Sequence, residues 1–195
     1  MTIMVTGGSG FIGSNFVIEW LKKHNEKVVN LDKLTYAGNL QNLAKLEGNS
    51  NHIFVKEDIG SSRAINLLLK TYNPRFIVNL AAESHVDRSI HRPEEFIQTN
   101  IVGTYRLLES IRGYWSELED TKKANFRFLH VSTDEVYGSL EQNSKPFIET
   151  NSYNPNSPYS ASKASSDHLV RAYYKTYGIP ILITNCSNNY GPYQF

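Results

Sequence analysis

Six short apolar runs rich in β-branched residues, at 3–6, 28–32, 53–55, 76–80, 126–132 and 181–184, alternate with longer stretches of helical spacing, among them 11–24, 64–71, 96–115 and 160–177. Strands that are apolar throughout, not in alternation, are those covered by helices on both faces of a sheet. A strand–helix–strand rhythm returns to the same sheet by right-handed crossovers. The pattern predicts an α/β fold, a Rossmann-like doubly wound parallel sheet with helices on both faces. The polar stretches 48–51, 117–125 and 141–158 are expected as surface loops, and no internal repeat is visible.

The 195 residues are 40% hydrophobic and 20% charged, the balance of one domain with a sizeable core. Twenty basic residues against nineteen acidic ones give a net charge of +1, so no overall field favours nucleic acid or an anionic membrane. The single cysteine, Cys186, excludes an internal disulfide and is expected to be a small buried hydrophobe. The N-terminus enters a strand directly, without a basic start and apolar stretch, and no run of about 18 apolar residues could span a bilayer. A cytoplasmic location is expected. "NCSNNYGPYQF" stops in a loop after the last strand, which suggests a domain over 1–195 cut before a smaller substrate domain.

"VTGGSGFIG" at 5–13 joins the first strand to the first helix. Gly7 permits the tight turn, Gly10 lets a pyrophosphate approach the backbone, and Gly13 allows close helix–sheet packing, with the helix N-terminus favouring phosphate. Asp32 ends the second strand, where a carboxylate accepts hydrogen bonds from ribose hydroxyls and repels a 2′-phosphate; this favours NAD over NADP. The adjacent Lys33 weakens that preference. The alternative is a structural turn followed by a strand-ending aspartate. The spacing G-x-x-G-x-x-G resembles that of the short-chain dehydrogenase/reductase superfamily.

"SPYSASK" sets Lys163 four residues after Tyr159 at the start of a helical pattern, one turn apart on the same face. With 12 tyrosines in the chain this spacing recurs by chance, and its position after a glycine-rich turn and a Ser-Thr strand end gives it weight. A phenol titrating near 10 needs a neighbouring positive charge to serve as a base at neutral pH, and Lys163 together with an oxidised nicotinamide is expected to lower it. Asp134 and Glu135 follow the hydrophobic run "FRFLHVS". Adjacent strand residues point to opposite faces, so two acids are tolerated there only if the strand has ended and both overhang a cleft. Glu94–Glu95, beside Pro93, and Glu119–Asp120, in a polar stretch, fit capping or solvated roles.

"VTGGSGFIGSNF", "NLDKLTYAGNL", "NLAAESHVDRSI", "TNIVGTYRLLE", "VSTDEVYGSL", "NSPYSASKASSDHLVRAYYKTYG" and "TNCSNNYGPY" together resemble the dTDP-glucose 4,6-dehydratases, a family of the extended short-chain dehydrogenases/reductases. The resemblance covers the whole chain. It implies bound NAD and a dTDP-glucose substrate that is oxidised at carbon 4, loses water across carbons 5 and 6, and regains hydride at carbon 6. By the same resemblance Tyr159 is the base at carbon 4, assisted by Lys163 and Thr133; Glu135 takes the proton at carbon 5; Asp134 gives one to the departing 6-hydroxyl.

The resemblance further implies that Phe11, Ile12, Asp32, Lys33, Leu34, Thr35, Asp58, Ile59, Leu80, Ala81, Ala82, Ser84 and Thr99 line the dinucleotide, with Asp58 reading adenine. Asn189 would sit near the nicotinamide, and Ser84 and Asn188 would face the sugar or its phosphates. His85, Asp87 and Arg88 fit a loop ion network as well as a catalytic role. Scattered histidines give no metal-ligand spacing. Helices 96–115 and 160–177 carry more apolar surface than one sheet face needs, and relatives pair such helices as a four-helix bundle, so a homodimer is expected. Rival readings are another short-chain enzyme on a nucleotide sugar, such as a UDP-hexose 4-epimerase, a UDP-glucuronate decarboxylase or a GDP-mannose dehydratase, and a non-catalytic dinucleotide-binding protein.

Overall fold

The computed structural model describes residues 1–194. The chain runs β1 (Thr2–Thr6), α1 (Phe11–Lys23), β2 (Lys27–Asp32), a 3₁₀ helix (Leu40–Leu46), β3 (His52–Lys56), α2 (Ser62–Tyr72), β4 (Phe76–Asn79), α3 (Val86–His91) and α4 (Pro93–Phe96). It continues through a π-helical segment (Ile97–Gly103), α5 (Thr104–Ser116), α6 (Asp120–Asn125), β5 (Arg127–Thr133), a second 3₁₀ helix (Asp134–Tyr137), α7 (Pro158–Tyr177) and β6 (Ile181–Cys186).

The six strands pair in parallel in the order β3-β2-β1-β4-β5-β6. Strand order reverses between β1 and β4, so the loops leaving those two strands diverge and open a crevice at the carboxyl edge of the sheet. Side chains alternate across each strand and feed two cores. Met4, Val29, Leu31, Ile77 and Phe128 pack with Ile65 and Leu69 of α2, Leu107, Leu108 and Ile111 of α5, and Val170 and Tyr173 of α7. Ile3, Val5, Val28 and Val78 point the other way, onto Val17 of α1 and Leu43 and Leu46. The doubly wound sheet read from the sequence is therefore the observed one.

Three local expectations are corrected. Residues 96–115 do not form one α-helix: helical structure begins at Pro93, widens into a π-helical turn over Ile97–Gly103 and resumes as α5. Periodicity misses this because the buried polar Asn100 sits inside the widened turn and finds its partners across the fold. The stretch 117–125, expected as a loop, contains α6; that helix buries no residue, so it has no apolar stripe to reveal it, and Asp120 near its start with Lys122 and Lys123 near its end suit the helix dipole. Cys186 is half-buried rather than a core residue, because it ends the edge strand β6 beside the crevice.

Candidate active site

The crevice is a cleft of about 640 Å³, within the range of small-molecule sites. Its floor begins at the turn after β1. Gly7 adopts φ +73°, and a Cβ there would lie 2.6 Å from Ala81 N; a Cβ on Gly13 would lie 2.1 Å from Gly7 O. Both glycines are demanded by the protein's own packing. Gly10 is different: its φ is −77°, and an added Cβ would come no nearer than 3.5 Å to anything. Nothing in the chain requires glycine at 10, whereas a ligand lying against the backbone would. Gly10 is also the N-cap of α1, with no side-chain cap and no acidic residue in the first turn, so the leading N–H groups are left for an anion.

Asp32, 8% exposed, serves the fold as well as the cleft. One carboxylate oxygen accepts from Ser9 N–H at 2.9 Å and the other from Leu34 N–H at 2.8 Å, and each oxygen retains a second lone pair. Leu34, expected against the dinucleotide, is not among the lining residues; it adopts φ 56° and contributes a backbone turn to Asp32 instead. Lys33 pairs with Asp58 at 2.8 Å. Burial opposes the charge on Asp58, but Lys33, the Gly60 N–H and Arg106 outweigh it and hold the carboxyl below its ordinary range. Glu57 and Asp58 form a further acidic doublet at the carboxyl edge, following β3 as Asp134 and Glu135 follow β5. Position at the edge therefore does not by itself make a doublet chemical: Asp58 is already paired.

β5 ends at Thr133, and the acids lie in the 3₁₀ turn beyond it, as their adjacency requires. Thr133 caps that turn by accepting Glu135 N–H at 3.3 Å, and Asn185 on β6 donates to Thr133 O at 3.2 Å. Among the described residues neither acid forms an ion pair. Glu135 lines the cleft; Asp134, expected there as well, lies outside the lining because successive residues of a 3₁₀ turn point about 120° apart. Burial, and then the neighbouring Asp134 charge, push the Glu135 carboxyl up, which makes it a stronger base once ionised.

Ser157 and Ser160 cap α7 reciprocally, each backbone N–H donating to the other's hydroxyl at 3.0 Å, and Pro158 fixes the first turn. That cap sets Tyr159 in the first turn and Lys163 one turn on, both facing the cleft and 8% and 4% exposed. Lys163 Nζ donates to Val131 O at 2.8 Å. Burial pushes the ammonium down to about 8, while the Asp167 charge pulls it back up. In the chain alone, burial and then the Glu135 charge push the Tyr159 phenol up to about 12, with a Thr133 hydrogen bond opposing them, and Lys163 is not among the main influences, so the expected lowering would have to draw on the nicotinamide charge. Without a further positive charge, desolvation wins.

The remaining expected residues Phe11, Ile12, Thr35, Ile59, Leu80, Ala81, Ala82, Ser84, Thr99, Asn188 and Asn189 all line the same cleft. Arg88 lies 3.6 Å over the Tyr36 ring, and His85 packs on the same ring, so the start of α3 carries an aromatic–cation stack in place of the expected loop ion network. Sequence reasoning missed Asn100. Buried in the π-helical turn, it accepts Glu83 N–H and donates to Glu83 O, both at 2.9 Å, and donates to Ser162 Oγ at 2.8 Å, locking the loop after β4 to α7. Its only signal was a polar residue in an apolar helical pattern.

A family model described as GDP-mannose 4,6 dehydratase matches residues 4–195. The dTDP-glucose 4,6-dehydratase of Xanthomonas campestris pv. campestris strain B100 is 63% identical over 194 residues, covering all of this chain and 55% of the relative. A crystal structure of a dTDP-glucose 4,6-dehydratase from Streptomyces venezuelae with NAD bound superposes with TM-score 0.90 at 45% identity, covering all of this chain and 58% of that one. A UDP-glucose 4-epimerase from Thermotoga maritima, solved with UDP-glucose, gives TM-score 0.84 at 30% identity, again over all of this chain and 58% of the other. The chain thus spans a little over half the length of the curated relatives it matches.

Proposed function

The chain belongs to the GDP-mannose 4,6 dehydratase family, and from that premise we propose that the whole protein removes water from dTDP-glucose through an internal redox cycle on bound NAD, giving a 4-keto-6-deoxy sugar. The observation that carries this reading is the meeting, in one cleft, of a ligand-accessible glycine turn, the Tyr159–Lys163 pair and Glu135, with Asp134 beside it on the same 3₁₀ turn at the end of β5. Gly7, Gly10 and Gly13 with the first turn of α1 fit a pyrophosphate, and the spare lone pairs of Asp32 fit ribose hydroxyls. Bound there, NAD supplies a hydride acceptor for sugar carbon 4, a hydride donor for carbon 6, and a positive charge that favours the Tyr159 phenolate.

The chain's own groups divide the proton work. Thr133 and Tyr159 hold the 4-hydroxyl, and Tyr159 takes its proton as that carbon is oxidised. The resulting ketone acidifies carbon 5, whose proton goes to Glu135. Asp134 gives a proton to the departing 6-hydroxyl, turning from the rim of the 3₁₀ turn toward substrate. A 4-epimerase would share the glycine turn and the Tyr–Lys pair but needs no acid for water loss, so the doublet is the discriminating feature.

Asp134→Asn in the whole protein is expected to slow elimination at least tenfold more than oxidation at carbon 4, measured as NADH formation in a single turnover against release of the keto sugar. Equal losses in both steps would overturn the assignment. Ile97, Tyr105, Tyr174 and Tyr177, all more than two-fifths exposed along the 93–116 rod and α7, support a homodimer joined through these helices as a four-helix bundle.

A further inference from the structure

Tyr159, Lys163 and Asp167 recur every four residues on α7, and Asp167 is 2% exposed. Its Oδ2 accepts from Ser132 Oγ at 2.8 Å, Tyr153 OH at 2.9 Å and Asn185 Nδ2 at 3.4 Å, three donors from three different segments. Burial pushes the Asp167 carboxyl up, while the Lys163 charge and these three donors oppose that rise and favour the carboxylate. Its Oδ1 makes no hydrogen bond and faces His130 Nε2 at 3.4 Å.

The charge on His130 follows from the bonds around it. Thr6 Oγ1 donates to Asn79 Oδ1 at 2.6 Å, which fixes that amide so that Asn79 Nδ2 donates to His130 Nδ1 at 3.1 Å. His130 Nδ1 is therefore an unprotonated acceptor, and the ring proton sits on Nε2. Ser166 Oγ, whose own proton goes to Lys163 O at 2.8 Å, accepts from that Nε2 at 3.1 Å. Burial and the Lys163 charge hold the imidazole well below its ordinary range, so it is neutral. With His130 neutral, the buried cation left for Asp167 is Lys163, one turn back along α7 and beyond direct ion-pair contact, so the two act on each other through a water-poor interior.

We propose that Asp167 is a positioning residue for the reaction: it is the buried counter-ion that keeps the Lys163 ammonium charged and seated on Val131 O, one helical turn behind Tyr159. A lone ammonium with 4% exposure would tend to shed its proton, and a buried carboxylate with three hydrogen bonds offsets that tendency. The other titratable groups around the pair do not substitute for it. Tyr137 from the 3₁₀ turn and Tyr153 from the 141–157 loop are pushed up by burial and stay neutral, Tyr159 does the same from α7, and the Glu135 and Asp134 charges, like that of Asp167, act on Tyr159. Cys186 at the end of β6 acts on Lys163 more weakly than Asp167 does.

This inference rests on the role given to Lys163 above, so the test reads the charge separately from the reaction. In the whole protein labelled with ¹³C at lysine Cε, the Lys163 resonance is identified by its loss in Lys163→Met and titrated in wild type and in Asp167→Asn. The wild-type midpoint is expected near 8 and the variant's lower by on the order of one pH unit. Turnover of dTDP-glucose should then show a deficit in Asp167→Asn about fivefold larger at pH 8 than at pH 6, since only at the higher pH do the two charged fractions part. A merely structural Asp167 would give the same deficit at every pH and an unmoved midpoint, and that result overturns the proposal. If the substrate assignment alone is wrong, the midpoint still falls while turnover is absent in both proteins. Should Asp167→Asn not fold, Asp167→Ser also removes the charge while leaving a hydroxyl to its donors, and must lower the midpoint likewise; an unmoved midpoint there overturns the proposal too.

Discussion

Replacing Lys163 with methionine removes a buried charge while keeping an unbranched stem of similar length. In the folded chain the ammonium titrates at about 8, against 10.5 for the free side chain. Between those values the unfolded chain holds a proton that the folded chain has released, so stability rises with pH across that window. Integrated from pH 7 to pH 10, this one group contributes about 2 to 3 kcal/mol of added stability. Lys163→Met has no such proton. The loss of the bond to Val131 O and of a partner for Asp167 shifts the variant's stability by an offset, but leaves the slope absent. Urea denaturation of both proteins at pH 7, 8, 9 and 10 should therefore show the stability of wild type, relative to Lys163→Met, improving by about 2 to 3 kcal/mol over the series. The series stops at pH 10 because phenols pushed up by burial, Tyr114 and Tyr159 to about 12, lower stability in both proteins beyond it. A difference that stays flat within about 0.5 kcal/mol would mean that burial does not depress the ammonium, and the electrostatic account of α7 would fail with it.

The glycine turn separates packing from binding: Gly13→Ala, whose Cβ would meet Gly7 O at 2.1 Å, should cost more than about 3 kcal/mol or prevent folding. Gly10→Ala should change stability by less than about 1 kcal/mol yet weaken NAD binding at least tenfold by titration calorimetry, because only the ligand needs that space. Placing glutamate at both Tyr105 and Tyr174 should convert a dimer into a monomer by light scattering without lowering the melting temperature of the domain; a pair that stays dimeric would remove these helices from the interface.

Local patterning along the chain is enough to specify the sheet and to single out the residues that could act. Apolar β-branched runs alternating with helical periods leave few arrangements other than a doubly wound parallel sheet, and the glycines at 7 and 13 report the turn that such a sheet needs. It also required the strand to end before Asp134, because two adjacent carboxylates could not both be accommodated inside it. Which groups are charged, and what each one touches, follows only from the packing of distant elements. Asn100, Asp167 and His130 are polar residues within ordinary helix and strand patterns, and their roles arise from partners 14 to 62 residues away. The same is true of Tyr159: four-residue spacing placed Lys163 beside it, yet whether the phenol moves down or up depends on how much water the surrounding elements exclude, and here desolvation pushes it up. Local periodicity is written into neighbouring residues, whereas desolvation and charge balance are sums over everything the fold brings together.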